Sequence, residues 1–65
     1  MFIETKRIDR SDGIYIEGMC NSNDDKPVDG IVGGIVAEND TGKVFFFDNE
    51  ASAGEEWVEQ FSFQG

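Results

Sequence analysis

A tight turn between two apolar segments is the feature that most constrains the fold of this chain. Residues 39–42 (Asn-Asp-Thr-Gly) are typical turn formers, and they separate residues 31–37 from Lys43–Phe47. This arrangement predicts a β-hairpin. Residues 31–37 are apolar at nearly every position, which is typical of a central strand that is buried on both faces. Gly33 and Gly34 within them indicate a bend or a close approach by another segment.

A second hairpin is predicted at the N-terminal end of the chain. Residues 2–8 and 14–19 resemble strands, and residues 11–13 (Ser-Asp-Gly) between them form a turn in which the glycine can adopt a positive φ. The mixed charges of residues 2–8 are typical of an edge strand. Residues 21–30 are polar and contain Pro27, so they are predicted to form a loop.

The C-terminal segment fits two structures, of which a helix is favoured. Ser52 and Glu55 match the capping-box pattern that precedes many helices. On a helix, Trp57, Val58 and Phe61 share one face, and the neighbouring glutamates lie opposite. The fold class predicted from all these elements is α+β: a four-stranded antiparallel sheet of two β-hairpins, with a short C-terminal helix packed across one face.

The alternative for the same segment is a fifth strand. Trp57, Phe61 and Phe63 share one parity, as alternate residues of a strand do. That arrangement places Glu59 among the aromatic rings, where an unpaired buried carboxylate is costly. The corresponding fold is a five-stranded all-β barrel of SH3-like size.

The composition indicates a single folded acidic domain, residues 1–65. Hydrophobic residues make up 38% of the chain, which has six Phe, one Trp and one Tyr. Each buried aromatic ring removes ~150–250 Å² from water, so a small core can form. It can do so despite the net charge of −9.

The residues that most often carry chemistry are scarce. Cys20 is the only cysteine and histidine is absent, so an internal disulfide and a thiolate zinc cluster are excluded. The sequence has no nucleotide-binding motif and no Ser-His pair. We therefore predict no enzymatic activity, no catalytic residues and no cofactor. Cys20 is predicted to be a buried or inert thiol, because nearby carboxylates disfavour its thiolate.

The carboxylates are distributed unevenly along the chain. Residues 1–12 carry three cations and three carboxylates, whereas residues 13–65 carry eleven carboxylates and two lysines. From residue 48 onward there are five acids and no base. The residues predicted to bind a partner form two clusters: Asp48, Glu50, Glu55, Glu56 and Glu59 in the first, and Asp24, Asp25 and Asp29 in the second.

This charge distribution predicts a basic protein surface as the partner. Direct nucleic-acid binding is excluded, because it needs clustered cations. A face ~20 Å across matches a length of duplex that carries roughly 12 phosphates, and eight carboxylates approach that density. In size and charge, though not in sequence, the chain resembles small acidic proteins of phages and mobile elements that block nucleic-acid-binding proteins. The resemblance implies a non-enzymatic inhibitor that acts as a DNA mimic.

Other interpretations of the same residues remain open. One is a structural or assembly subunit that oligomerises through an aromatic sheet face, with Phe45 and Phe47 as the candidate interface. Another is that the acids only keep the surface solvated. The acids of residues 21–30 lack the EF-hand spacing, so no metal site is predicted. These 65 residues contain neither a membrane span nor a signal-peptide pattern, which predicts a cytoplasmic protein without a membrane partner.

Overall fold

The computed structural model describes residues 1–62, which form one open five-stranded sheet and no helix. The strands lie side by side in chain order. They are β1 (Ile3–Arg10), β2 (Gly13–Cys20), β3 (Ile31–Glu38), β4 (Lys43–Phe47) and β5 (Trp57–Ser62). Both predicted hairpins are confirmed as antiparallel pairs, β1 with β2 and β3 with β4. Of the two predicted folds, the five-stranded all-β alternative fits, although the sheet is open and not closed into a barrel.

The predicted C-terminal helix is wrong, because the segment forms the edge strand β5. This strand pairs antiparallel with β4, and Phe47 lies opposite Trp57. The case for a helix assumed that Glu59 would be buried in a strand. At the sheet edge the Glu59 side chain is instead 49% exposed, and its carboxylate lies 3.6 Å from the Lys43 ammonium.

The capping-box pattern before this strand forms a turn. The N–H of Glu55 donates to the carbonyl of Ser52 at 2.9 Å, which closes a tight turn. Gly54 within it has a φ of 88°, a left-handed conformation that no helix continues. Phe63, which belongs to the alternation that favoured a strand, lies outside the described residues.

Strands β2 and β3 run parallel, which the prediction of an all-antiparallel sheet did not include. Residues 21–30 carry the chain back across the sheet between them. Ten residues can span up to ~35 Å, which exceeds the ~27 Å length of an eight-residue strand, so a loop suffices for this crossover. The loop is held by an ion pair between Lys26 and Glu38 at 2.7 Å. The indole N–H of Trp57 also donates to the carbonyl of Pro27 at 2.9 Å.

The crossover loop gives the sheet two different faces. On the loop-covered face lie Ile16 and Val36, which are 2% and 0% exposed, together with Phe45 and its neighbours on β5. Alternate residues point to the opposite side, which we call the open face; Ile35 and Phe46 lie there as cross-strand partners. The side-chain contacts of residues 21–30 reach only the loop-covered face and the ends of the strands.

Two smaller predictions about the core are confirmed. Gly34 is buried where β2 and β3 approach closely, and a Cβ atom there would clash with the carbonyl oxygen of Ile16. Cys20 ends β2 and is only 2% exposed. Burial raises the pKa of its thiol, and the nearby Glu38 and Asp24 carboxylates raise it further, although Lys26 opposes them. The thiol is therefore protonated and shielded at neutral pH.

Candidate functional site

The charge asymmetry of the sequence becomes an asymmetry across the sheet, because the strands lie in chain order. The edge strand β1 and the turn after it carry equal numbers of cations and carboxylates. At the opposite edge, β5 and residues 48–56 carry five carboxylates and no cation. The excess negative charge is therefore concentrated on the β4–β5 side and on the crossover loop.

One member of the first predicted acidic cluster and two members of the second meet at one cleft. Asp24 and Asp25 from the crossover loop line the same space as Glu56, although about thirty residues separate them in the sequence. The cleft has a volume of about 610 Å³. Its lining is completed by Lys26, Val28, Phe45, Gly54 and Trp57. Three of the eight predicted carboxylates thus border a partly aromatic depression, and the other five lie outside its lining.

Aromatic packing gives the cleft a fixed wall. The Trp57 and Phe47 rings meet edge to face, with centroids 5.0 Å apart and an interplanar angle of 74°. The hydrogen bond from the Trp57 indole to Pro27 ties this wall to the crossover loop. Because the strand and the loop hold each other, the cleft is preformed in the folded chain.

Lys26 shows how the cleft accommodates a cation. Its ammonium lies 4.4 Å from the centroid of the Phe45 ring and 2.7 Å from a Glu38 carboxylate oxygen. The Thr41 hydroxyl donates to the other Glu38 oxygen at 2.7 Å. Burial alone would raise the pKa of Glu38, but the hydrogen bonds from Lys26 and Thr41, with the Lys26 charge, outweigh it and lower that pKa. An aromatic face combined with a carboxylate is a favourable environment for a basic side chain.

Four of the eight predicted carboxylates are used within the fold. Asp24 accepts from the Met1 ammonium at 2.6 Å and from the N–H of Asn21 at 2.9 Å. These two bonds, the Met1 bond first, lower the pKa of Asp24. The other three, Asp48, Glu56 and Glu59, bind the N–H of Glu50, the N–H of Gly54 and the Lys43 ammonium, respectively. These four side chains shape the loops that frame the cleft.

The remaining four carboxylates are Asp25, Asp29, Glu50 and Glu55. All four are exposed, and none of their side chains makes a hydrogen bond or an ion pair with a described residue. They lie on the two loops from which the cleft is built. A bound partner could therefore contact them without breaking an internal interaction.

Sequence reasoning missed two residues that build this site, Lys26 and Glu38. Lys26 is the only cation in residues 21–30, which was the one available signal that it has a structural role. Glu38 is the last residue of β3 and precedes the polar turn at residues 39–42, so its neighbours did not mark it as buried, although it is 4% exposed. Trp57 was predicted to pack, but through a helix.

The two aromatic residues predicted as an oligomer interface do not lie on the exposed side of the sheet. Phe45 and Phe47 are half-buried on the loop-covered face, where they contact Lys26 and Trp57. Phe46 lies on the open face and is 43% exposed. Strand alternation therefore exposes the middle ring of the Phe triplet.

Within residues 1–62, no three His, Cys, Asp or Glu side chains are grouped so that they could hold a metal ion. None of these residues belongs to a helix with the length and apolar character needed to cross a membrane. Comparisons with protein-family models, curated proteins and solved structures gave no match.

Proposed function

We propose that this protein is a non-enzymatic binding protein that uses its acidic cleft and the surrounding loops to occupy a basic surface of a protein partner. The observation that carries the proposal is the meeting of Asp24 and Asp25 with Glu56 at a preformed, partly aromatic cleft. Carboxylates separated in the sequence converge there, as a surface selected for a cationic partner requires.

The contacts of Lys26 support basic side chains as the chemistry of the partner. The cleft already holds one ammonium between a ring and a carboxylate, with distances of 4.4 and 2.7 Å. A lysine or arginine from a partner would meet the same combination at Trp57 and Asp25. Charge-assisted contacts of this kind speed association and confer specificity, and they weaken as salt increases.

The proposal is tested with a fluorescent oligoarginine peptide and two variants of equal net charge. The triple variant D25K/E50K/E55K reverses three carboxylates that have no internal partner. The control E4K/D9K/D12K reverses three carboxylates on the β1 side, of which Glu4 has an exposed ion pair with Arg7 at 3.0 Å. Anisotropy titrations at several salt concentrations measure the affinity of each, and circular dichroism checks that each is folded.

We expect the cleft-side variant to bind at least ~10-fold more weakly than the control, because the partner contacts local carboxylates and not the mean charge. Equal losses in the two variants would contradict the proposal, since they would show that only net charge matters. Reversal of Glu55, Glu56 and Glu59 together also removes the internal bonds of Glu56 and Glu59, so it is a less selective test.

The more specific form of the proposal is that the partner is a nucleic-acid-binding protein and that the chain acts as a DNA mimic. The test immobilises the wild-type protein and captures partner proteins on it at low salt. If the chain mimics DNA, added duplex DNA displaces the captured proteins. The immobilised control variant E4K/D9K/D12K must capture the same partners, and the cleft-side variant D25K/E50K/E55K must fail to capture them. Partners that duplex DNA does not displace would refute the mimicry while leaving the acidic binding surface in place.

A further inference from the structure

The open face of the sheet carries an apolar surface that takes no part in the proposed acidic binding site. Among the described residues, six of the large hydrophobic side chains that the strand registers place on this face are at least 37% exposed, whereas Val44 on the same face is buried. They come from β1, β2, β4 and β5, and the central strand β3 adds Ile35 and Ala37 between them. The six are Ile3, Ile8, Met19, Phe46, Val58 and Phe61. Together they extend across the whole width of the sheet.

The same face is nearly free of charge. Of the fourteen carboxylates, the strand registers place only Glu17 on this face. They place two cations there, Lys6 and Arg10. Lys6 lies directly opposite Glu17 on the neighbouring strand. The Tyr15 hydroxyl donates to the Glu17 carboxylate at 2.5 Å. The open face therefore has a formal charge of about +1 in a chain whose net charge is −9.

A sheet with one apolar face needs a second layer to bury it. Antiparallel strands that leave one face in water normally carry mostly polar side chains on that face, whereas the side chains on this face are mostly apolar. We propose that the second layer is another copy of the chain, so that two sheets pack face to face as a β-sandwich dimer. Such a dimer is isologous, with the same residues contributed by both copies.

The area of the open face matches what a stable dimer needs. Strands about 4.8 Å apart, of which β1, β2 and β3 are about 26 Å long and β4 and β5 about 17–20 Å, give a face of roughly 550 Å². The longest extents of the molecule, 38 and 24 Å, limit the face to about 900 Å². Two copies would therefore bury about 1,100–1,800 Å² together, most of which falls in the ~1,200–2,000 Å² range of stable specific interfaces.

Charge favours a second copy over a basic or an acidic partner. A basic protein is attracted to the loop-covered face and the β4–β5 edge, and an acidic one is repelled by the chain as a whole. Face-to-face stacking separates the acidic sides of the two copies by ~20 Å or more, which exceeds the Debye length of ~8 Å at physiological salt. The dimer thus joins the two molecules where their mutual repulsion is weakest.

The test is sedimentation equilibrium of the full chain and of three variants. Val58 is the second residue of β5 and is 40% exposed, so a polar side chain there leaves the isolated sheet intact. V58E and V58K place opposite charges on the open face, and A53E adds a carboxylate on an exposed loop away from it. We expect a wild-type dimer that strengthens with salt, is weakened at least ~100-fold by both Val58 variants, and is unchanged by A53E.

Three results would overturn the proposal. A monomer at high micromolar concentration and high salt would show that the face does not associate. A dimer that V58K strengthens while V58E weakens it would show that net charge, and not this face, controls assembly. A monomer whose open-face amides respond to uncharged lipid vesicles would identify a lipid surface as the occupant. Oligoarginine binding by V58E tests the acidic site separately, because Val58 lies on the opposite face from the cleft.

Discussion

The ion pair between Lys26 and Glu38 is predicted to hold the crossover loop on the sheet, and the variant K26M tests this. The Lys26 and Glu38 side chains are only 14% and 6% exposed. Removing the ammonium leaves a buried carboxylate whose remaining hydrogen bond comes from Thr41. Breaking a buried pair in this way typically costs about 3–5 kcal/mol, and because Thr41 remains we expect a loss of about 3 kcal/mol.

The pH dependence of this loss has a definite sign. In the wild type, Glu38 has a lowered pKa, so its contribution is present above the ordinary glutamate pKa and is lost as the pH falls through the folded value. In K26M, burial without the ammonium raises the pKa of Glu38, so the carboxylate penalises folding at neutral pH and the penalty disappears on protonation. The difference between the two proteins is therefore largest near pH 7 and shrinks as the pH falls, first through the raised Glu38 pKa of K26M and then through the lowered Glu38 pKa of the wild type.

Urea unfolding followed by the fluorescence of the single tryptophan, Trp57, measures this difference. The double variant K26M/E38M is the control, because replacing both charges with apolar side chains leaves no buried unpaired carboxylate. We expect it to recover all but about 1 kcal/mol of the loss. A K26M loss below about 0.5 kcal/mol, or one that does not change with pH, would refute the reasoning.

Three further outcomes are expected. In urea unfolding, Gly34→Ala should cost about 3 kcal/mol because the new Cβ clashes with the Ile16 carbonyl. Gly33→Ala should change stability by less than about 0.5 kcal/mol, because its Cβ meets only the Tyr15 ring at 3.4 Å. Equal effects at the two glycines would count against this account of strand packing. Trp57→Phe removes the hydrogen bond to Pro27 and should cost about 1–2 kcal/mol, measured by circular dichroism; an unchanged midpoint would mean that the bond does not hold the loop. Cys20 should react with a thiol reagent only as fast as the chain opens, since it is 2% exposed; rapid labelling in native buffer would contradict its burial.

Both hairpins could be predicted because local residues determine them. The turn residues 11–13 and 39–42 separate segments of suitable strand composition, so their pairing needs no knowledge of distant contacts. The parallel pairing of β2 and β3 could not be predicted in this way. The crossover depends on Lys26 meeting Glu38 and Trp57 meeting Pro27, and the second pair is thirty residues apart in the sequence.

The C-terminal error shows where residue patterns stop being informative. The segment fits a helical apolar arc and a strand alternation equally well, and the position of Glu59 decided for the helix. The cost assigned to that carboxylate applies only in the interior of a sheet. At an edge strand Glu59 reaches solvent and Lys43, which could be known only once the strand order was known.

The acidic clusters were recognisable from the sequence, but the roles of their members were not. Charge counts identify all eight carboxylates and their bias toward the second half of the chain. Only the structure distinguishes the carboxylates that stabilise loops, such as Asp24, from the carboxylates without an internal partner, such as Asp25. The coordinates also show that the apolar surface lies on the opposite face of the sheet from the cleft.

The most direct test of the central claim is an NMR titration of the isotopically labelled chain with oligoarginine peptide. The account predicts that shifted amide signals cluster in residues 24–29 and 48–56, together with the indole N–H of Trp57. Signals of β1 and of the open face should remain in place. Shifts spread evenly over all carboxylate-bearing segments, including residues 4–12, would contradict the claim that the acidic residues form one binding surface.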